Sequence, residues 1–357
     1  MTQENTTQTP MTDDAFLLET LPDSIVAWTE LRARWIKDRP QIHGSLEWVV
    51  SDLQHWAPGD KLRVAFLGGS PSLHKDIVEV LQVIVGACNI SFDFGYDART
   101  GKYRAWSEKD QDYAAEIRVS FDLPGYFSLV GMDSVNASVG GPSDKVGGRP
   151  GQRSLNLGGY DQQRPQRWKG TVLHEFLHAL GFHHEHGNLH GPCQSEFRWE
   201  DDPGYGATTD ALGTYIPDVK GRRPGVYTYL GGYPNFWPRS KVDHNLRPST
   251  ASGIAHGSFD RLSVMLYRFP PLFYKTPNSP CAPASLGEEL SPGDIEGLKR
   301  IYPASGQGIA TAVERRTALL DSLQEGRGLE GASTGTMVAH AKRLLADSLA
   351  RLRARVT

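Results

Sequence analysis

The sequence predicts an α+β fold: a twisted mixed sheet with helices packed on it, an irregular lower subdomain, and extra helical segments at both ends. Three observations predict it. Between residues 61 and 121, short apolar runs of strand length surround one helical period. From 187 to about 259 the chain is rich in Gly, Pro and Tyr with little periodicity, and beyond 303 the helical period returns twice. A length of 357 residues leaves room for one large domain or two small ones, and 38 glycines and 23 prolines imply long connections.

Residues 1 to about 13 are polar and rich in Thr and Gln, the composition of a disordered tail. After them Leu17, Leu18, Leu21, Ile25, Val26, Trp28, Leu31 and Trp35 are spaced as one or two docked helices, interrupted at Pro22. A strand over 62–67, a Gly68-Gly69-Ser70-Pro71 turn, a helix over 73–87 and strands over 90–94 and 115–121 follow. A Gly-rich stretch leads to a short strand over 154–157 and a helix that begins between 165 and 170 and stops at Gly181. Further on, 238–246 is a modest helix candidate. Ser291 is placed to cap a helix over 291–301, with Pro292 at its first position and Asp294 in its first turn. Two more helices are predicted over 309–323 and 337–352. This order gives an N-terminal extension (1–59), an upper subdomain (60–186), a lower subdomain (187–303) and a C-terminal helical extension (304–357).

The formal charge is −3 and no block of five or more like charges occurs, so nucleic acid is not an expected partner. The most apolar helix candidate, 76–88, contains Glu79 and Gln82 and falls short of the roughly 20 residues a bilayer requires, so no membrane association is expected. The opening residues, MTQENTTQTPMTDDAF, have neither a basic n-region nor an apolar h-region, which leads to the expectation of a cytoplasmic protein or one exported without a cleaved leader. Cys88, Cys193 and Cys281 are an odd count at wide spacing, compatible with one bridge or with three thiols.

Residues 171–190, TVLHEFLHALGFHHEHGNLH, hold six of the twelve histidines and carry the chemistry. Four residues apart on a helix, His174 and His178 lie about 40° apart around the axis and one turn along it, close enough to grip one ion. Glu175 stands beside them. Gly181 can adopt the left-handed conformation that ends the helix and turns the chain back, letting His184 supply a third imidazole; His183, one residue away, is its rival. Three neutral imidazoles with an open fourth position form a catalytic zinc arrangement, whereas structural zinc sites are closed and mostly thiolate. With 12 His and 17 Glu in 357 residues, HExxH arises by chance about 0.02 times, and Gly181 and His184 at their offsets lower that to about 10⁻⁴. His183, His186 and His190 otherwise read as pocket or surface residues.

The run His174-Glu175-Phe176-Leu177-His178-Ala179-Leu180-Gly181-Phe182-His183-His184-Glu185 resembles the extended HExxHxxGxxH element of the metzincin metalloproteases, and Glu185 after the third histidine points to the astacin-like branch. Ser263-Val264-Met265-Leu266-Tyr267 is similar to the family's Met-turn. Weaker echoes are Ser128-Leu129-Val130-Gly131, the strand at 154 and the segment from Leu290 through Asp294 to Tyr302. The resemblance covers roughly 60–303. Secreted astacins usually carry a leader, an inhibitory propeptide and two disulfides, and the stretch from His184 to Met265 is long for that family.

What the resemblance implies is a Zn2+-dependent endopeptidase acting on protein or peptide substrates. His174, His178 and His184 would hold the metal, Glu175 would be the general base, Met265 a floor beneath the imidazoles and Tyr267 a stabiliser of the oxyanion. The strand over 154–157 would be the upper rim on which an extended substrate adds, and Tyr205, Tyr215, Tyr227, Tyr233 and Trp237 would belong to a lower wall. Two other readings use the same residues: a zinc hydrolase of a non-peptide amide or ester, and a regulatory or binding protein with a vestigial zinc domain. In astacins the Glu after the third His is neutralised by a new amino terminus, so Glu185 raises the question of what faces it here. Residues 1–59 are accordingly read as an inhibitory segment presenting Asp23 or Asp38 to the zinc, as a helix that extends the core, or as an arm for a partner.

Overall fold

A computed structural model of the chain describes residues 21–37, 52–248, 257–325 and 332–356. Those residues form two compact units, the smaller from Glu196–Asn245 and Phe269–Ser279, the larger from the rest.

The larger unit is built on a five-stranded mixed sheet: β1 (Lys61–Leu67), β2 (Ser91–Asp93), β3 (Ile117–Ser120), β4 (Tyr126–Ser128) and β5 (Leu155–Leu157), in the order β2-β1-β3-β5-β4. All neighbours are parallel except β4, which runs antiparallel to β5 with Phe127 opposite Asn156. The strand over 154–157 is therefore interior, and the edge next to it is β4, which sequence reading missed. Three residues following Gly125, whose φ is +74°, are too few to show a period.

Helix α1 spans Asp23–Lys37 and helix α2 Pro71–Ala87. In α2 the Ser70 hydroxyl accepts the Leu73 N–H at 3.2 Å, and Leu73, Ile77, Leu81 and Ile84 form the buried stripe that covers the sheet. Helix α3, Trp168–Ala179, packs into the same core through Val172, Leu173, Phe176 and Leu177. The irregular stretch between β4 and β5 is organised by Arg118. Its buried guanidinium donates to the carbonyls of Gln152, Ser134 and Gly147, which replaces secondary structure as the source of order there.

Pro22 precedes α1 and does not interrupt it; the part of the expected helix before residue 21 lies outside the described residues. Ile25 packs with Phe127, Leu129, Val139 and Val146, and Arg32 pairs with Asp133 at 2.7 Å in a buried setting. At the other end, helix α4 (Pro292–Ile301) starts with a capping box between Ser291 and Asp294. Helices α5 (Gly306–Glu325) and α6 (Ala332–Val356) are both longer than predicted. They enclose Leu53 and Ala57 among Leu319, Leu323, Leu345, Ala312 and Leu352. Cys193 and Cys281 form a disulfide and Cys88 stays reduced. Among the described residues no helix is long and apolar enough to cross a membrane.

The smaller unit is mostly irregular, with short helices at Val226–Gly231 and Arg239–Leu246. Aspartates supply what a ladder would: Asp218 accepts the N–H groups of Gly206, Lys220 and Arg222, and Asp210 those of Leu212 and Thr214. Phe197, Phe269, Phe273 and Tyr274 form its aromatic centre.

Candidate metal centre

Helix α3 ends in a glycine turn that does more than stop it. The Gly181 N–H donates to His178 O at 2.8 Å and the Phe182 N–H to Leu177 O at 3.0 Å, the paired bonds of a Schellman motif, with Gly181 at φ +93°. The turn leaves the Phe182 carbonyl 2.7 Å from His178 Nδ1. Beyond it His184 comes back toward the helix.

His174, His178 and His184 are brought together. His178 Nε2 lies 3.1 Å from His174 Nε2 and 3.0 Å from His184 Nε2, and among the described residues these three are the group whose donor atoms could hold a metal ion. A carbonyl only accepts, so the contacts of His174 Nδ1 with Val264 O at 2.8 Å and of His178 Nδ1 with Phe182 O place the ring proton on Nδ1 in both. Both Nε2 atoms then present lone pairs toward the cluster. Bonds of about 2.05 Å in tetrahedral directions would set such nitrogens roughly 3.3 Å apart, so the donor set fits a zinc-sized cation. Carbonyl partners on the outer nitrogens are the usual way metal-binding imidazoles are oriented.

His183 turns elsewhere, with Nε2 3.3 Å from Gln54 Oε1. Glu175 is 2 % exposed on α3 beside His174. Tyr267 stacks into the histidines, its ring centroid 4.3 Å from that of His184, 5.3 Å from His174 and 5.4 Å from His186. Met265 is buried in the main core, and its carbonyl accepts the Glu185 N–H at 2.9 Å. Asp23 is exposed on α1 and is not among the metal-capable residues, and Asp38 lies outside the described residues. Glu185 meets donors: Asn188 Nδ2 at 2.9 Å and the Asp260 N–H at 2.8 Å. Burial nevertheless pushes its carboxyl up to about 7.

The capping box of α4 reaches the same place. Asp294 accepts Ser263 Oγ at 2.6 Å and the Val264 N–H at 3.1 Å, and the other side of Val264 accepts His174. Burial raises the Asp294 pKa, and these hydrogen bonds work against that rise. Sequence reading missed Val264, Phe182 and Asp294 as orienting groups because two act through backbone atoms, which leave no compositional trace. His186, read as a pocket or surface residue and not as a ligand, lies against the cluster without joining it. This ring is 1 % exposed and stacks on His184 and Tyr267.

No protein-family model matches the chain, and no curated protein matches it. Two solved structures of myroilysin are similar to it. One is 24 % identical, covering 72 % of this chain and 98 % of its own at a TM-score of 0.47. The other is 20 % identical, covering 81 % and 99 % at a TM-score of 0.41.

Proposed function

We propose that the chain is a zinc endopeptidase of the metzincin type, in the astacin-like branch, with His174, His178 and His184 as ligands. The observation that carries this reading is the convergence of three imidazole Nε2 atoms at 3.0–3.1 Å, two of them fixed by Nδ1–carbonyl bonds. Bound Zn2+ supplies Lewis acidity, lowering the pKa of a water and polarising a carbonyl. Glu175 takes the proton from the attacking water on its carboxylate and hands it to the departing amine nitrogen, a transfer for which a buried carboxylate next to a ligand is suited. The Tyr267 hydroxyl donates to the oxygen on which negative charge develops. Met265 fills the core beneath this machinery, and the edge strand β4 offers backbone groups to an extended peptide.

The Cys193–Cys281 bridge favours work in an oxidising compartment over cytoplasmic residence, since cytosolic thiols are kept reduced. The test is metal analysis with casein digestion on the wild type and Glu175→Ala. One zinc per chain in both, with turnover falling about 10²-fold or more in the variant, is expected. Zinc binding without casein cleavage, but with cleavage of small amides or esters, would replace the endopeptidase by a non-peptide hydrolase. No turnover of any kind would leave the binding-protein reading.

A further inference from the structure

The turn that presents His178 and His184 is gripped from behind at three consecutive residues. Ala179 O accepts Trp56 Nε1 at 2.8 Å, Leu180 O accepts the Tyr302 hydroxyl at 2.6 Å, and the ring of His55 lies so close to Gly181 that a Cβ there would sit 2.2 Å from His55 Cδ2. Residues 55 and 56 are held in turn from α5. Arg316 Nη2 donates to His55 O at 3.0 Å and Trp56 O at 2.9 Å, and Nη1 donates to Ser348 Oγ on α6. Asp52 lies 3.7 Å from Arg316 Nε and accepts Arg315 at 2.7 and 2.8 Å.

A guanidinium exposed by only 1 % is a costly thing to bury for packing alone. Two of its acceptors are adjacent carbonyls of one short segment, which fixes that segment's orientation as an apolar side chain would not. From Arg316 to Trp56 and on to Ala179 the contacts are direct hydrogen bonds, and the last lands one residue beyond His178. Resting on the metal-centre reading above, we infer that the C-terminal helices α5 and α6 are a positioning clamp: Arg316, through Trp56, holds the end of α3 so that the histidine cluster releases its metal slowly.

Zinc release from the full-length chain into excess chromophoric chelator tests this, using wild type, Arg316→Ala, Trp56→Phe and the double variant. Trp56→Phe keeps an aromatic ring and removes the indole N–H, so it reads the same contact should Arg316→Ala not fold. Each single change is expected to accelerate release about tenfold, the scale of outer-shell effects on metal sites. Because both act on one path, the double variant should release zinc no faster than the faster single. Ile25→Ala, which thins the packing under α1, should lower stability and leave the release rate unchanged. A wild type without zinc would overturn the metal centre and the clamp with it. A wild type that holds zinc, combined with wild-type release in Trp56→Phe, multiplied effects in the double variant, or equal acceleration in Ile25→Ala, would overturn the clamp alone.

Discussion

Replacing Gly181 by alanine adds one methyl group at the place where the chain turns back after α3, and the structure gives two separate costs for it. At φ +93° a residue with a Cβ is strained, by about 1–2 kcal/mol. The new Cβ would also stand 2.2 Å from His55 Cδ2. That ring is 6 % exposed and edge-on to Tyr302, so it must shift within the core to admit the methyl group. Overpacking of this kind costs about 1–2 kcal/mol more. Urea unfolding of the metal-free chain should therefore show a loss of about 2–4 kcal/mol for Gly181→Ala. In a His55→Ala background only the backbone part survives, so the same substitution should cost about 1–2 kcal/mol there. Two results would refute the reasoning: a loss below about 0.5 kcal/mol in the wild-type background, or an identical loss in both.

His184→Ala should lose zinc or bind it far more weakly while His183→Ala keeps it, since only His184 joins the Nε2 cluster and His183 faces Gln54; metal content of the two purified variants decides. His55, whose pKa burial lowers from 6.5 to about 4, couples stability to pH. The unfolded chain gains a proton below pH 6.5 that the folded chain declines until about pH 4, so stability is complete above 6.5 and falls through this window. Between pH 7 and 5.5 the metal-free chain should lose about 1 kcal/mol through this residue, and His55→Gln should remove that share of the slope in urea titrations. Reducing the Cys193–Cys281 bridge opens a loop of sequence separation 88 and should cost about 4.6 kcal/mol in the same assay on the chain-entropy account.

The parts of this fold that were legible in the sequence are those whose cause is local. Ser291 and Asp294 opened α4 and Gly181 closed α3, each because a cap or a left-handed turn is written in one or two residue types, whereas α2 starts at Pro71 inside what the sequence marks only as a turn. The histidine spacing was legible for the same reason. What escaped was non-local. The edge position of β4 depends on pairing with β5 across an irregular stretch that Arg118 organises, and nothing near Tyr126 records it. Trp56 and Tyr302 look like ordinary core aromatics in sequence, and only the folded chain puts their polar ends on Ala179 and Leu180. The Asp294 carboxylate illustrates both sides: its capping role is visible at short range, its hold on Val264 is not.

Because Cys193 and Cys281, 88 positions apart, are covalently joined, the stretch between them is a ring that includes Met265 and Tyr267. On the endopeptidase reading proposed above, the protein's own exposed loops would be its nearest substrate. Without the bridge, one cut in the irregular stretch before Tyr267 would turn everything downstream, with α4, α5 and α6, into a separate fragment. With it, the two pieces remain tethered through Cys193, and reassembly is intramolecular at an effective concentration on the order of millimolar instead of a bimolecular encounter. A nicked chain should run as one species without reductant and as two with it, so the bridge would make a cut in this stretch tolerable.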